Sequence, residues 1–336
     1  MKLRIVLLAV SLALATGTFV SGWGQSQKFN APHLERAVPG PNSLLFLGKH
    51  RAGPTGAPGQ EIAETTKGAS PVYFFNSVDY PGQALSVCVD FNDNAEVGFF
   101  ENNPSSATAV DNGFIFKSNR FSTVNYPGAA STQILAINAT GEIVGDYIDS
   151  TSTAHAFTDV GGTFTNIDFP GAGNGAAFDV NDSGEIVGFY GDSSGNIHGF
   201  LDVGGVYTSF DYPGAMSTEA GGINNLGEIV GAWIDSSGNS HGFMLVGGPV
   251  GVFSSLDFPN SNGTQAIGVN TSGEVAGLYF DAAFNDHGFL LQNGFFNSLD
   301  VPGASSTLLT RVKDNGRVHG AFFDQLNEQH GLSGLR

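Results

Sequence analysis

The chain has 336 residues, 48 of them glycine and 28 phenylalanine, with one cysteine and a formal net charge of −18. So acidic a surface repels phosphate backbones and anionic lipid, which argues against nucleic acid as a partner and leaves cations and neutral glycans. With Cys88 alone, no intrachain disulfide forms, and stability must come from packing.

The first element is a leader. Lys2 and Arg4 precede an apolar run to Ala15, followed by small residues, the layout of a secretory signal peptide over residues 1–22, with cleavage after Ala13–Ala15 or near Gly22. The apolar run is shorter than the ~20 residues of a spanning helix, so no membrane span is expected after cleavage. The expected location is outside the cell or in its envelope, the periplasm included. Residues 23–71, typified by "GPTGAPGQEIAETTKGAS", read as a Pro/Gly-rich linker or mobile arm, with one short apolar patch, "SLLFLG", at 43–48.

Residues 72–336 are copies of one unit. An Asn before a turn and Gly-Glu recurs at Asn92, Asn138, Asn181, Asn224 and Asn270, with Lys313 in the sixth place. A phrase ending in Asp, any residue and Pro appears as "FNSVDYPG", "FSTVNYPG", "FTNIDFPG", "YTSFDYPG", "FSSLDFPN" and "FNSLDVPG". The third marker is "HAF" at 155, "HGF" at 198, 241 and 287, "HGL" at 330 and a degenerate "NGF" at 112. Within a unit, "AAFDVN", "EIVGFY", "HGFLDV" and "VYTSFDY" are strand-like runs separated by Gly, Asn, Asp and Ser, and no window has helical periodicity. Four antiparallel strands in about 40–45 residues is the content of one propeller blade.

The two ends predict closure. The repeat region opens with the fourth-strand phrase "VYFFNSVDY" and ends after the third-strand phrase "HGLSGLR". The spare strand at the beginning supplies the one missing at the end, which predicts an all-β, six-bladed β-propeller whose last blade is completed by the amino-terminal strand. An open solenoid or a pair of sandwiches would need no spare strand.

The recurring "IN..GEIVG", an acidic turn and then "HAF" or "HGF" resemble the HAF-family extracellular repeats of bacterial exported proteins, over residues 72–336. That resemblance implies an exported β-repeat protein and carries over no catalytic residues. The first copy departs from it by lacking His, the last at Lys313 and Arg317.

The repeated polar residues read as architecture. His155, His198, His241, His287 and His330, one per blade, would stand too far apart to share a zinc ion and are expected to hydrogen-bond a neighbouring turn or blade. Asp79, Asp168, Asp211, Asp257 and Asp300, with Asn125 in the remaining place, are expected to fold onto the backbone just ahead of them as Asx turns. A ring of carboxylates lining a cation channel is the competing view. The turns "DSSGN" at 192 and 235 lack the ligand spacing of a calcium loop and read as tight hairpins. Calcium is the one cofactor that the overall acidity would favour; none other is expected. Gly191-Asp192-Ser193-Ser194-Gly195 matches G-x-S-x-G by coincidence, since no helix follows it.

Phe100, Tyr147, Tyr190, Trp233, Tyr279 and Phe322 end the second strands and read as packing between blades, with sugar stacking as the rival. Cys88 stands where most blades carry Ala, which suggests a buried, inert thiol. Specificity in a propeller resides in residues that differ between blades. Arg311, Lys313 and Arg317 in the last copy are therefore the candidate ligand-binding residues of the central channel, for an anion such as a uronate; salt bridges to acidic neighbours at the ring closure are the alternative. The insertion 101–110 of the first copy, with Glu101, is the other asymmetric place. The expected function is a monomeric, non-enzymatic module that binds a glycan or protein through loops on one face. A carbohydrate-active lyase or hydrolase and a structural envelope protein are the alternatives.

Overall fold

Each copy of the repeat folds into a four-stranded antiparallel sheet, and six such sheets are arranged around one axis as a β-propeller. The computed structural model describes residues 73–83, 85–102, 110–326 and 328–335. The expected leader and arm, and most of the 101–110 insertion, lie outside the described residues. Blade three is representative, with strands Asn174–Val180, Glu185–Gly191, Ile197–Val203 and Val206–Phe210 paired in that order. Among the described residues there is no helix, so none is long and apolar enough to cross a membrane.

The ring closes as the sequence phase requires. Blade six takes Ser306–Val312, Val318–Phe323 and Gln329–Leu335 from the end of the chain, and Phe74–Ser77 from its beginning. The fourth strand pairs antiparallel with the third, Phe74 opposite Leu335 and Ser77 opposite Leu332. The Val78 amide continues the ladder by donating to the Gly331 carbonyl at 2.9 Å. The outer edge that Gln329–Leu335 would otherwise expose is thereby covered.

Every first strand carries a β-bulge at the same place, with Val89, Leu135, Phe178, Gly221, Ile267 and Thr310 as the extra residues. A bulge bends and twists the strand that contains it. Here it brings six innermost strands together around the axis, where Val89, Leu135 and Phe178 from three blades share one buried cluster. The bulge also explains the glycine of "EIVG". A Cβ on Gly188 would overlap the Ala176 carbonyl oxygen just before the bulge, and Gly98, Gly145, Gly231, Gly277 and Gly320 meet the same obstacle in their own blades.

Deleting residues 1–79 is expected to expose the edge of Gln329–Leu335 and open the ring. Size-exclusion chromatography should show self-association, and thermal melting by circular dichroism should broaden and fall relative to the full chain.

Candidate functional site

The loop that leads into each blade ends beside the turn joining its second and third strands, as when Met216 N–H donates to Ile234 O at 2.8 Å. These loops and turns therefore share one face of the disc, as expected. The repeated aromatics meet there in stacks. Tyr126 lies 3.7 Å from Tyr147, Phe169 3.8 Å from Tyr190, Tyr212 4.1 Å from Trp233 and Phe258 3.6 Å from Tyr279, all nearly parallel. Each pair joins a lead-in loop to the second strand of the blade it enters, and such a pair is worth about 0.5–1.5 kcal/mol beyond its burial. The blade's histidine lies against that second-strand ring, His155 at 5.1 Å from Tyr147 and His241 at 4.5 Å from Trp233. These aromatics are half-buried and pack against one another.

The five histidines are clamped between two aspartates. Nδ1 lies 2.7 Å from Asp168 in the case of His155, 2.9 Å from Asp211 for His198, 3.0 Å from Asp257 for His241, 2.9 Å from Asp300 for His287 and 3.2 Å from Asp79 for His330. Nε2 faces the preceding turn, as His198 does toward Asp192 at 3.6 Å. In the first blade Asn112 and Asn125 replace the pair, the Asn125 side-chain amide donating to Asn112 Oδ1 at 2.8 Å.

The aspartates differ from the expected Asx turns. Their second oxygen reaches back to the third strand, where Asp168 Oδ1 accepts the Ala156 amide and Asp300 Oδ1 the Gly288 amide. The lead-in turn is instead capped by a hydroxyl two residues into the next strand, Thr132 accepting from Tyr126 N–H at 3.0 Å. The imidazole is a stronger attraction for a nearby carboxylate than the local backbone is. True Asx turns occur at the acidic hairpins. Asp192 Oδ1 accepts the Ser194 and Asn196 amides, and Oδ2 the Asn196 side chain. Hydrogen bonds from Thr153, Asn196, Asn239 and Asn285 hold Asp149, Asp192, Asp235 and Asp281 at about 2. These carboxylates close their own hairpins, including the coincidental G-x-S-x-G.

On the opposite face the repeated asparagines form a ladder around the ring. The Asn92 side-chain amide donates to Asn138 O, Asn138 to Asn181 O, Asn181 to Asn224 O, Asn224 to Asn270 O and Asn270 to Lys313 O, at 2.8–3.3 Å. Lys313 completes the circuit by pairing with Asp90 of blade one at 2.8 Å.

Among the three candidate cations, Arg311 reaches the axis, because it follows the bulge, and it is 2 % exposed. Both terminal nitrogens of its guanidinium are engaged within the protein, whereas Nε is buried without a hydrogen-bond partner. Nη1 donates to the Ile267 and Thr310 carbonyls, and Nη2 to those of Leu135 and Phe178, at 2.6–3.4 Å. The Thr310 hydroxyl donates to a further bulge carbonyl, that of Val89, at 2.6 Å. Asp179 pairs with Arg311 Nη2 at 3.3 Å, and Asp90 lies 3.8 Å from its Nε. Burial works to raise Asp90, but Lys313 and Arg311 hold it below its ordinary value. Each carboxylate also accepts the next blade's amide, Ile137 N–H to Asp90 and Ile223 N–H to Asp179. Arg317 does not enter the channel. It precedes a second strand, so it lies between blades six and one, 3.3 Å from Glu96 and 4.5 Å above the Phe91 ring.

Three further groups were not singled out in the sequence. Glu219 stands beside the channel, where the Gly221 bulge leaves a cavity of about 20 Å³ lined with Phe178, Gln265 and Ile267. Its Oε2 is sealed and unpartnered, and burial pushes the carboxyl up to about 8. His319 and Glu96 join Cys88 at the seam of blades six and one. Burial keeps His319 below its ordinary value and pushes the Cys88 thiol up. "RVHG" against "EIVG" is the signal that aligning the repeats would have exposed. Finally, an open groove of about 460 Å³ runs between the outer strand of blade one (Arg120–Val124) and blade two. Ile115, Val124, Ile143 and Phe164 give it apolar walls, and Asn125 and Asp159 add polar groups.

No protein family matches the chain, and no curated protein sequence matches it. Solved structures do. TolB from Acinetobacter baumannii superposes with a TM-score of 0.50 at 16% identity, over 71% of this chain and 63% of that one, so the match spans less than two thirds of TolB. A lectin from Aleuria aurantia in complex with Fucα1-6GlcNAc gives 0.48 at 10% identity, over 74% and 91%. AofleA from Arthrobotrys oligospora gives 0.46 at 12%, over 79% and 87%. At such identities the likeness extends to the propeller fold.

Arg311→Met is expected to take the guanidinium away from four buried carbonyls and from its two carboxylates and to cost about 3–5 kcal/mol, read from urea denaturation. Glu219 predicts a pH dependence. Its folded value of about 8 exceeds the unfolded ~4.3, so the folded chain keeps a proton that the unfolded chain sheds. Stability from this group is fully present below pH ~4.3 and lost as pH rises to about 8. Glu219→Gln should therefore raise the melting temperature relative to the native chain more at pH 9 than at pH 4.

Proposed function

We propose that this chain is an exported, non-enzymatic propeller of the HAF repeat kind that binds a neutral glycan in the groove between blades one and two. The groove carries the reading. Its volume of about 460 Å³ lies within the ~300–1,000 Å³ of small-ligand sites, and it combines apolar walls with a few polar groups. Phe164 and Ile115 offer the apolar contact that a sugar ring takes, while Asn125 and Asp159 offer hydrogen-bond partners. At this seam the blade-one pair is Asn112 with Asn125, so the groove is less acidic than a His–Asp blade would make it. Export is supported by the basic and apolar leader, and the repeat assignment by the "GEIVG" and "HGF" phrases that recur in register.

Two features of the molecule weigh against sites elsewhere. The axial charges are spent on one another and on backbone, and the two most exposed phenylalanines among the described residues, Phe284 and Phe295, lie on hairpins at opposite faces instead of forming one aromatic rim.

A glycan array probed with the purified chain, with product analysis on each hit, tests the reading. A neutral glycan should bind uncleaved. Ser122→Arg, at an exposed position opposite Ile115 of the adjacent strand, would fill the groove and should abolish binding while changing stability by no more than about 0.5 kcal/mol. Binding that survives Ser122→Arg, or a cleaved hit, would contradict it.

A further inference from the structure

The seams between neighbouring blades are near-copies of one another, so a departure at one of them is informative. Where the second strand of one blade meets the first strand of the next, Val144 packs with Ala177, Val187 with Ala220 and Val230 with Ala266, each pair in one buried apolar cluster. The seams of blades one with two and five with six are apolar at the same place. At the seam that closes the ring, between blades six and one, the equivalent positions hold His319 and Cys88, both 0 % exposed.

Glu96 completes a cluster there. One donor atom from each of Cys88, Glu96 and His319 lies within 4.8 Å of the others. Cys88 Sγ is 4.0 Å from Glu96 Oε2, and His319 Nε2 is 3.6 Å from Glu96 Oε1. Neither ring nitrogen of His319 has a hydrogen-bond partner, although the ring is fully enclosed. A buried imidazole in that condition costs free energy that the valine of other blades would not, so the substitution calls for a ligand.

We propose that Cys88, Glu96 and His319 bind a zinc-class divalent transition metal at the closing seam. Thiolate, imidazole and carboxylate are the donors such an ion takes, at about 2.3 Å for sulfur and 2.0–2.2 Å for nitrogen and oxygen. Those lengths put tetrahedral donors about 3.3–3.6 Å apart, so donor atoms that now lie within 4.8 Å of one another have to close by up to about 1.2 Å. Arg317 holds Glu96 Oε1 at 3.3 Å, which leaves Oε2 toward Cys88. The ion replaces the thiol proton, which leaves to solvent, and three protein donors leave a fourth position for water. Bound there, the metal ties the first blade to the last.

The test uses the full chain, treated with chelator and then titrated with Zn²⁺ or Co²⁺ by calorimetry. One ion per chain should bind, with about one proton released, seen as a buffer-dependent heat. The Co²⁺ form should show thiolate-to-metal charge-transfer absorption. Cys88→Ala and His319→Val install the residues that other blades carry at their seams, and metal-free melting curves check that both fold. Each should weaken binding by more than the ~10–100-fold that outer-sphere changes cost, and Cys88→Ala should remove the absorption band. No uptake by the full chain, or uptake unchanged in both variants, overturns the proposal.

Discussion

A closed ring of sheets brings six innermost strands to one axis, and each arrives with a bulge that turns a carbonyl inward. Water cannot serve these carbonyls once Val89, Leu135 and Phe178 fill the centre. Arg311 resolves the conflict with one planar group, whose donors reach carbonyls in blades two, three, five and six. An arginine suits the place because its donors are fixed in a plane and its charge is weakly hydrated. Asp90, Asp179 and Lys313 then bring the buried charge close to balance. Six-fold architecture is here held by a residue that occurs once.

Away from the axis the ring is held by contacts that do repeat. On one face the asparagine ladder ties each 1–2 turn to the next blade's backbone. On the other, each lead-in aromatic stacks on the next blade's second strand, and a histidine clamped by two aspartates lies against that ring. Both devices join neighbours only, which is why a repeat unit that cannot hide its own apolar faces is stable within an array. Each device also has a substitute that keeps its geometry. Asn112 and Asn125 reproduce the histidine clamp without charge, and Lys313 ends the ladder where the chain's two ends meet.

Departures from the repeat fall into two kinds. Arg311 and Lys313 solve problems that the ring itself creates. His319 and Glu219 do not, since a valine or a neutral side chain would fill their places at lower cost. The first belongs to the closing seam and the second to the gap left by Gly221, the one bulge residue without a side chain. Repetition thus provides an internal reference against which a single buried polar group can be recognised.

Blade number, strand order and the closure by Phe74–Ser77 were legible in the sequence, because hairpin spacing is local and the phase of the two chain ends is a matter of counting. The placement of the five histidines beside acidic turns was legible for the same reason. The partners were not. That Asp168 turns back to His155, and that Arg311 spans the channel while Arg317 stays in a seam, depend on how a bulge aims side chains between strands far apart in sequence. Cys88 and His319 are 231 residues apart and meet only because the ring closes. Local pattern determined which elements form; the geometry of closure decided which charges and donors share a buried volume.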